Sequence, residues 1–152
     1  MSTPVTFDTA SPRFGLPLLF SGQSQKEVYV NEAHGIVDAL LHCAIEDVSD
    51  LPPEIPVDGR NWLIGSNPTG EWEGKNGCLA CRQAGGWIYI MPKNGLEVFN
   101  VKTEQMYFYF DGWRCASQIH EPIGGNIIDV EARFVISQLI SALKSLGVVP
   151  RV

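Results

Sequence analysis

In the last third of the chain, apolar residues recur at Ile128, Ala132, Val135, Leu139, Ala142 and Leu146, with spacings of 4, 3, 4, 3 and 4. This is the a/d seam of a coiled coil, narrower than the stripe of an ordinary surface helix. Asp129 stands at its start, Gly147 follows its last apolar residue and Pro150 lies just beyond, so the segment carries both helix boundary signals. One chain has no matching heptad for the seam to meet. The pattern therefore predicts self-association. An amphipathic helix docked on its own sheet could show the same short heptad run. Phe134, Ile136, Ile140 and Leu143 lie outside the seam, so much of the circumference requires cover. A trimer, or a seam combined with docking on the strands, would supply it. The Ala132 and Ala142 positions do not set the subunit number, and a homotrimer is the expected state.

A second helix is predicted over residues 24–45. Ser24 and Glu27 form an S-x-x-E capping box, and Tyr29, Ala33, Ile36, Val37, Leu40, Leu41 and Ala44 make the expected apolar face. Gly35 costs this helix about 1 kcal/mol relative to alanine, which points to a close neighbour there. Pro52, Pro53 and Pro56 close the element. From Asp58-Gly59 onward the period changes to short β-prone runs: Asn61–Ile64, Cys78–Gln83, Trp87–Met91, Leu96–Val101 and Gln105–Phe110. Asn76-Gly77, Gly85-Gly86, Asn94-Gly95 and Asp111-Gly112 separate them, which is the pattern of an antiparallel meander. Trp87, Tyr89 and Met91 share one strand face and Ile88 and Ile90 the other. Met106, Phe108 and Phe110 likewise oppose Tyr107 and Tyr109. With both faces apolar, cover is expected on both sides, from the first helix or from a neighbouring subunit.

These elements give an α+β fold: an N-terminal helix, a small antiparallel β-meander or sandwich, and a C-terminal heptad helix that joins subunits as a trimeric bundle. The expected organisation is a loose arm over 1–23, an α+β domain over 24–120 with its β unit at 58–116, and a hinge and oligomerisation helix over 121–152.

Composition narrows the partners. The chain has 152 residues, 45% of them hydrophobic, enough for a real core. Its net charge of −6 and lack of any Lys/Arg cluster argue against nucleic acid. No apolar run approaches the ~20 residues that span a bilayer, and the N-terminus lacks a signal-peptide pattern. Synthesis and folding in a bacterial cytoplasm are expected, with the four cysteines reduced.

Chemistry-bearing motifs are sparse. Cys78-x-x-Cys81 has half the spacing of a zinc site, but Cys43 and Cys115 are isolated, and an offset of three on a strand points the pair to opposite faces. His34, Asp38 and His42 line one side of the first helix with Glu27 and Asn31, which reads more simply as a polar stripe facing solvent or a subunit. The acids Asp47, Asp50, Glu54, Asp58, Glu71, Glu73, Glu97 and Glu104 fall mostly in loops. No nucleophile elbow, phosphate loop, dinucleotide fingerprint or zincin helix occurs. No metal, cofactor or catalytic residue is expected. Trp72, between Gly70-Glu71 and Glu73-Gly74, is the tryptophan expected at the surface, and so the candidate glycan contact.

Arg13-Phe14-Gly15-Leu16-Pro17-Leu18-Leu19, Gly22-Gln23-Ser24-Gln25-Lys26-Glu27 and Asn31-Glu32-Ala33 form a distinctive N-terminal block. On this block the chain resembles an uncharacterised domain family of tailed phages, prophages and gene transfer agents of alphaproteobacteria. The resemblance continues through Asp58-Gly59, Gly70-x-Trp72, Gly86-Trp87, Pro92, Gly95 and Tyr109-Phe110-Asp111-Gly112, and ends at Asp129-x-Glu131-Ala132-Arg133 and Gly147. It implies a structural role as part of a head spike, head fibre or tail fibre, and brings no catalytic residues. The expected function is a trimeric virion component with other virion proteins as partners. The alternative is a carbohydrate-binding adhesin that uses Trp72 against a bacterial surface polysaccharide.

Overall fold

A computed structural model describes Leu18 and residues 27–125 and 129–151. The arm expected over 1–23 apart from Leu18, the capping residue Ser24, the hinge residue Asn126 and the seam residue Ile128 lie outside them. The fold is α+β, with a helix near each end and two small, largely antiparallel sheets. The chain divides into two units, Met1–Pro92 and Lys93–Val152. This boundary falls inside the span expected as a single β unit.

In the first unit, α1 spans Glu27–Leu40, β1 Ala44–Ile45, β2 Val48–Ser49, β3 Asn61–Ile64, β4 Leu79–Gln83 and β5 Gly86–Ile90. A 3-10 turn at Gly70–Trp72 lies between β3 and β4. The sheet order is β2-β3-β4-β5, with β2 parallel to β3 and the other pairs antiparallel. Ala84 and Gly85 both have positive φ, 49° and 74°. That makes the two-residue turn whose twist matches the flanking strands. It starts β5 at Gly86.

The helix differs from expectation in two respects. It ends at Leu40 instead of Ile45, because His42 adopts a left-handed backbone (φ 46°) and the chain turns into β1. Its inward face is also inverted. Gly35, Asp38 and Ala39 are buried, whereas Ala33, Val37 and Leu41 of the predicted apolar face are exposed. The cause is close approach to the sheet. A Cβ on Gly35 would lie 2.4 Å from Gln83 Oε1 and 3.0 Å from Ile88 Cδ1. Asn61 Nδ2 donates to the carbonyls of Ala39 (3.3 Å) and Ala44 (3.1 Å). Small residues and exposed carbonyls let the helix lie this near the strands; larger apolar residues would hold it off. The helix thus covers the Ile88 side of β5.

In the second unit, β6 spans Glu97–Asn100, β7 Gln105–Tyr109, β8 Trp113–Arg114 and α2 Val130–Ser145. The strands follow one another as antiparallel neighbours. Val98, Asn100 and Gln105 are buried on one face, while Met106, Phe108 and Phe110 stand exposed on the other. Asn94 and Asp111 clasp the hairpin end reciprocally: Asn94 Nδ2 donates to Asp111 Oδ1 (3.1 Å) and the Asp111 amide donates to Asn94 Oδ1 (2.8 Å).

Candidate oligomerisation helix and aromatic cluster

Local chemistry sets the limits of α2. Asp129 has extended backbone angles, and its Oδ1 accepts from the Ala132 amide at 2.9 Å, which satisfies an orphan donor of the first turn. Glu131 near the start and Lys144 near the end complement the helix dipole. At the C-terminus Gly147 adopts φ 68°, its amide donates to Lys144 O (3.1 Å), and the Val148 amide donates to Leu143 O (2.9 Å). Glycine is required there twice over, because a Cβ would also lie 3.2 Å from Glu104 O.

This C-terminal turn roots the helix. The Met106 amide donates to Gly147 O at 2.7 Å, so the chain after α2 continues along the edge of β7. Gln105 Nε2 donates to Ala116 O (2.6 Å) and Val148 O (3.2 Å). Val149 is buried. Toward its other end, polar contacts with the incoming hinge brace α2: Ser137 Oγ donates to Glu121 Oε1 (2.8 Å), and the Arg133 guanidinium donates to the carbonyls of Pro122 and Gly124.

Every described seam residue is exposed. Val135 retains 52% of its surface, Leu139 59% and Leu146 71%, and Ala132 and Ala142 are open as well. Of the apolar residues outside the seam, Ile140 is buried and Leu143 half-buried, while Phe134 and Ile136 stay exposed. The helix therefore uses one narrow strip for its own chain and leaves the heptad ridge bare.

Trp72 lies elsewhere and corrects the sequence reading. It is 0% exposed and belongs to the core of the first unit with Ile64, Cys78 and Ala80. Its ring meets that of Trp87 edge-on at 5.3 Å, and Trp87 meets Trp62 at 5.6 Å. Trp87 Nε1 donates to Glu71 Oε2 (2.8 Å), and the Tyr89 hydroxyl donates to Glu71 O (2.8 Å). Arg82 stands over Trp87 and Lys75 over Tyr89. The glycines and glutamates beside Trp72 signalled an exposed loop. The 3-10 turn instead folds the indole down onto the aromatic face of β3–β5, so Trp72 cannot be a surface glycan contact.

The remaining candidates do not converge. None of the four cysteines is in a disulfide; Cys43, Cys78 and Cys81 are buried and Cys115 is exposed. Burial pushes the Cys78 thiol up, only partly opposed by Lys75, so it stays protonated and unreactive. Asp38 is buried, not part of a solvated stripe, and His42 has left the helix, which breaks the row expected with His34. Among the described residues, no three His, Cys, Asp or Glu side chains group so as to hold a metal ion. An open cleft lined by Val48, Ser49, Asp50, Gly65 and Ser66 has its carboxylate engaged, with Asp50 Oδ1 accepting from the Asn67 amide at 3.0 Å. Among the described residues no helix is long and apolar enough to cross a membrane.

Fold and helix together define a small α+β protein with an uncovered heptad helix. The chain belongs to DUF2793, a protein family of unknown function, whose match spans residues 30–114. The match covers α1 from residue 30 and both sheets, and stops before α2. A search of the curated proteins found no match to the chain.

Proposed function

We propose that the chain is a virion structural protein of a phage or prophage, a subunit of a head spike, head fibre or tail fibre that assembles as a homotrimer through α2. The observation that carries the reading is the exposed ridge Ala132, Val135, Leu139, Ala142 and Leu146 on a helix capped at both ends. A capped helix with a bare heptad face gains most of its stability when like faces meet. Each large seam residue contributes roughly 1.5–3 kcal/mol on burial. Over three copies the large seam side chains contribute about 14–27 kcal/mol, comparable with the roughly 8–30 kcal/mol lost in the two association steps that make a trimer. Threefold closure lets identical surfaces satisfy one another without open-ended growth.

The virion half of the reading is supported by the resemblance of Arg13–Leu19, Gly22–Glu27 and the turn motifs to proteins of tailed phages and gene transfer agents. In such a particle, α2 would set the symmetry axis, and the segment over 1–23 would contact the neighbouring virion protein. No chemical step is required of any residue. Antibody raised against the protein should decorate tailed particles induced from the bacterium that carries the gene, and the purified chain should be a trimer. Unlabelled particles together with a monomeric chain would overturn the proposal.

A further inference from the structure

Besides the seam, α2 carries a second exposed apolar surface. At 3.6 residues per turn, Val130 and Phe134 lie on the side opposite the heptad ridge, and both are exposed, Phe134 by 63%. The flank next to them is taken by the chain's own hinge through Arg133 and Ser137. In a bundle closed by the seam, Val130 and Phe134 would face outward, away from the axis.

One face of the second sheet is bare as well. Met106 and Phe108 on β7 and Phe110 directly after it alternate along the chain and are all exposed. Phe99 pairs in register with Met106, and the Arg114 guanidinium stands 5.3 Å from the centre of the Phe110 ring. Gly147 ties α2 to the edge of this strand, where a Cβ on it would lie 3.5 Å from Phe99, yet Met106, Phe108 and Phe110 stay exposed within one copy. Val130 and Phe134 keep 72% and 63% of their surface exposed, and Met106, Phe108 and Phe110 keep 38%, 41% and 46%. A lone subunit rarely leaves so much apolar surface in water.

We propose that the Met106, Phe108 and Phe110 face of one copy receives Val130 and Phe134 of a neighbouring copy. Each α2 would then be held at the axis by its seam and on its outer side by the next subunit's sheet. The inference rests on the oligomer reading above and names the partner of its second surface. An aromatic knob meeting a row of aromatic side chains allows edge-to-face packing. The charges at the two margins are complementary: Glu131 is exposed near Phe134, and Arg114 is exposed beside Phe110. The pairing also explains why both faces of β7 are apolar when its own chain covers only one.

The test is a photo-crosslink. Phe108 is replaced by benzoyl-phenylalanine in a mixed population of ordinary and heavy-isotope chains, which is irradiated and digested. The expected product joins position 108 to residues 130–136 of a chain of the other isotope. In parallel, Phe108→Asp should raise the concentration at which the oligomer dissociates at least tenfold, with helix content unchanged. An oligomer that crosslinks within one chain, or to another segment, overturns this inference and leaves the seam intact. A chain that is monomeric before any substitution overturns both.

Discussion

Gln83 reaches from β4 to α1 and donates from Nε2 to the carbonyl of Gly35 at 2.9 Å. This bond and the absent Cβ at Gly35 fix which side of the helix faces the sheet. Gly35→Leu should lower the unfolding free energy by about 1–3 kcal/mol through overpacking, and Gln83→Ala by about 1 kcal/mol. Val37→Ser, on the exposed side, should change it by less than about 0.5 kcal/mol in the separated chain. Urea titration of the three variants measures the order. Equal losses at Val37 and Gly35 would contradict the inverted face.

Trp72→Ala should cost about 3–5 kcal/mol, because it empties the centre of an aromatic cluster. The change should appear in thermal melting. A Trp72→Ala protein of unchanged melting temperature would show that the indole is not buried as described.

The thiols should separate by reactivity. Cys115 is exposed, so one equivalent of a maleimide should react in the native protein, while Cys43, Cys78 and Cys81 react only after unfolding. Rapid labelling of all four would show that the first unit opens readily.

Alkaline pH should destabilise the first unit. The Cys78 thiol is held above its ordinary value by burial, against a smaller opposing effect of Lys75. The Tyr89 phenol is held up by burial and then by the Glu71 carboxylate. Both groups grip their protons more tightly when folded. Their stabilising contribution is complete below the unfolded values, about 8.5 for a thiol and 10 for a phenol, and is lost as pH rises through the folded values. The urea midpoint should therefore fall from about pH 8.5 upward. A midpoint that rises over that range would contradict the sign.

Five of the eight strands among the described residues, β3 to β7, were legible nearly to the residue, whereas the two-residue strands β1, β2 and β8 are too short to carry a period and were not expected. Asn61–Ile64 forms as expected, and the other four of the five shift by a residue or two at their ends, because positive-φ turns such as Ala84-Gly85 and Asp111-Gly112 punctuate the chain. The face of α1 was not legible. Helical periodicity separates apolar from polar sides, but here Gly35 and Ala39 win the inner position by size, and Asn61 and Gln83 reward exposed carbonyls. Trp72 was misplaced because its neighbours carry a loop signature, whereas its burial depends on Trp62 and Trp87 arriving from distant strands. In α2 the ridge and its caps could be read directly. Which of its sides the chain itself would cover could not, since that depends on the turn at Gly147 that roots it on β7.

Analytical ultracentrifugation of the intact chain and of Leu139→Asp tests the central claim most directly. The native protein should sediment at three times the 16.8 kDa of one chain, and Leu139→Asp, which would bury unpaired charges at the axis, should sediment as a single chain. A native protein of 16.8 kDa, or a Leu139→Asp variant whose mass does not change, would contradict assembly through α2.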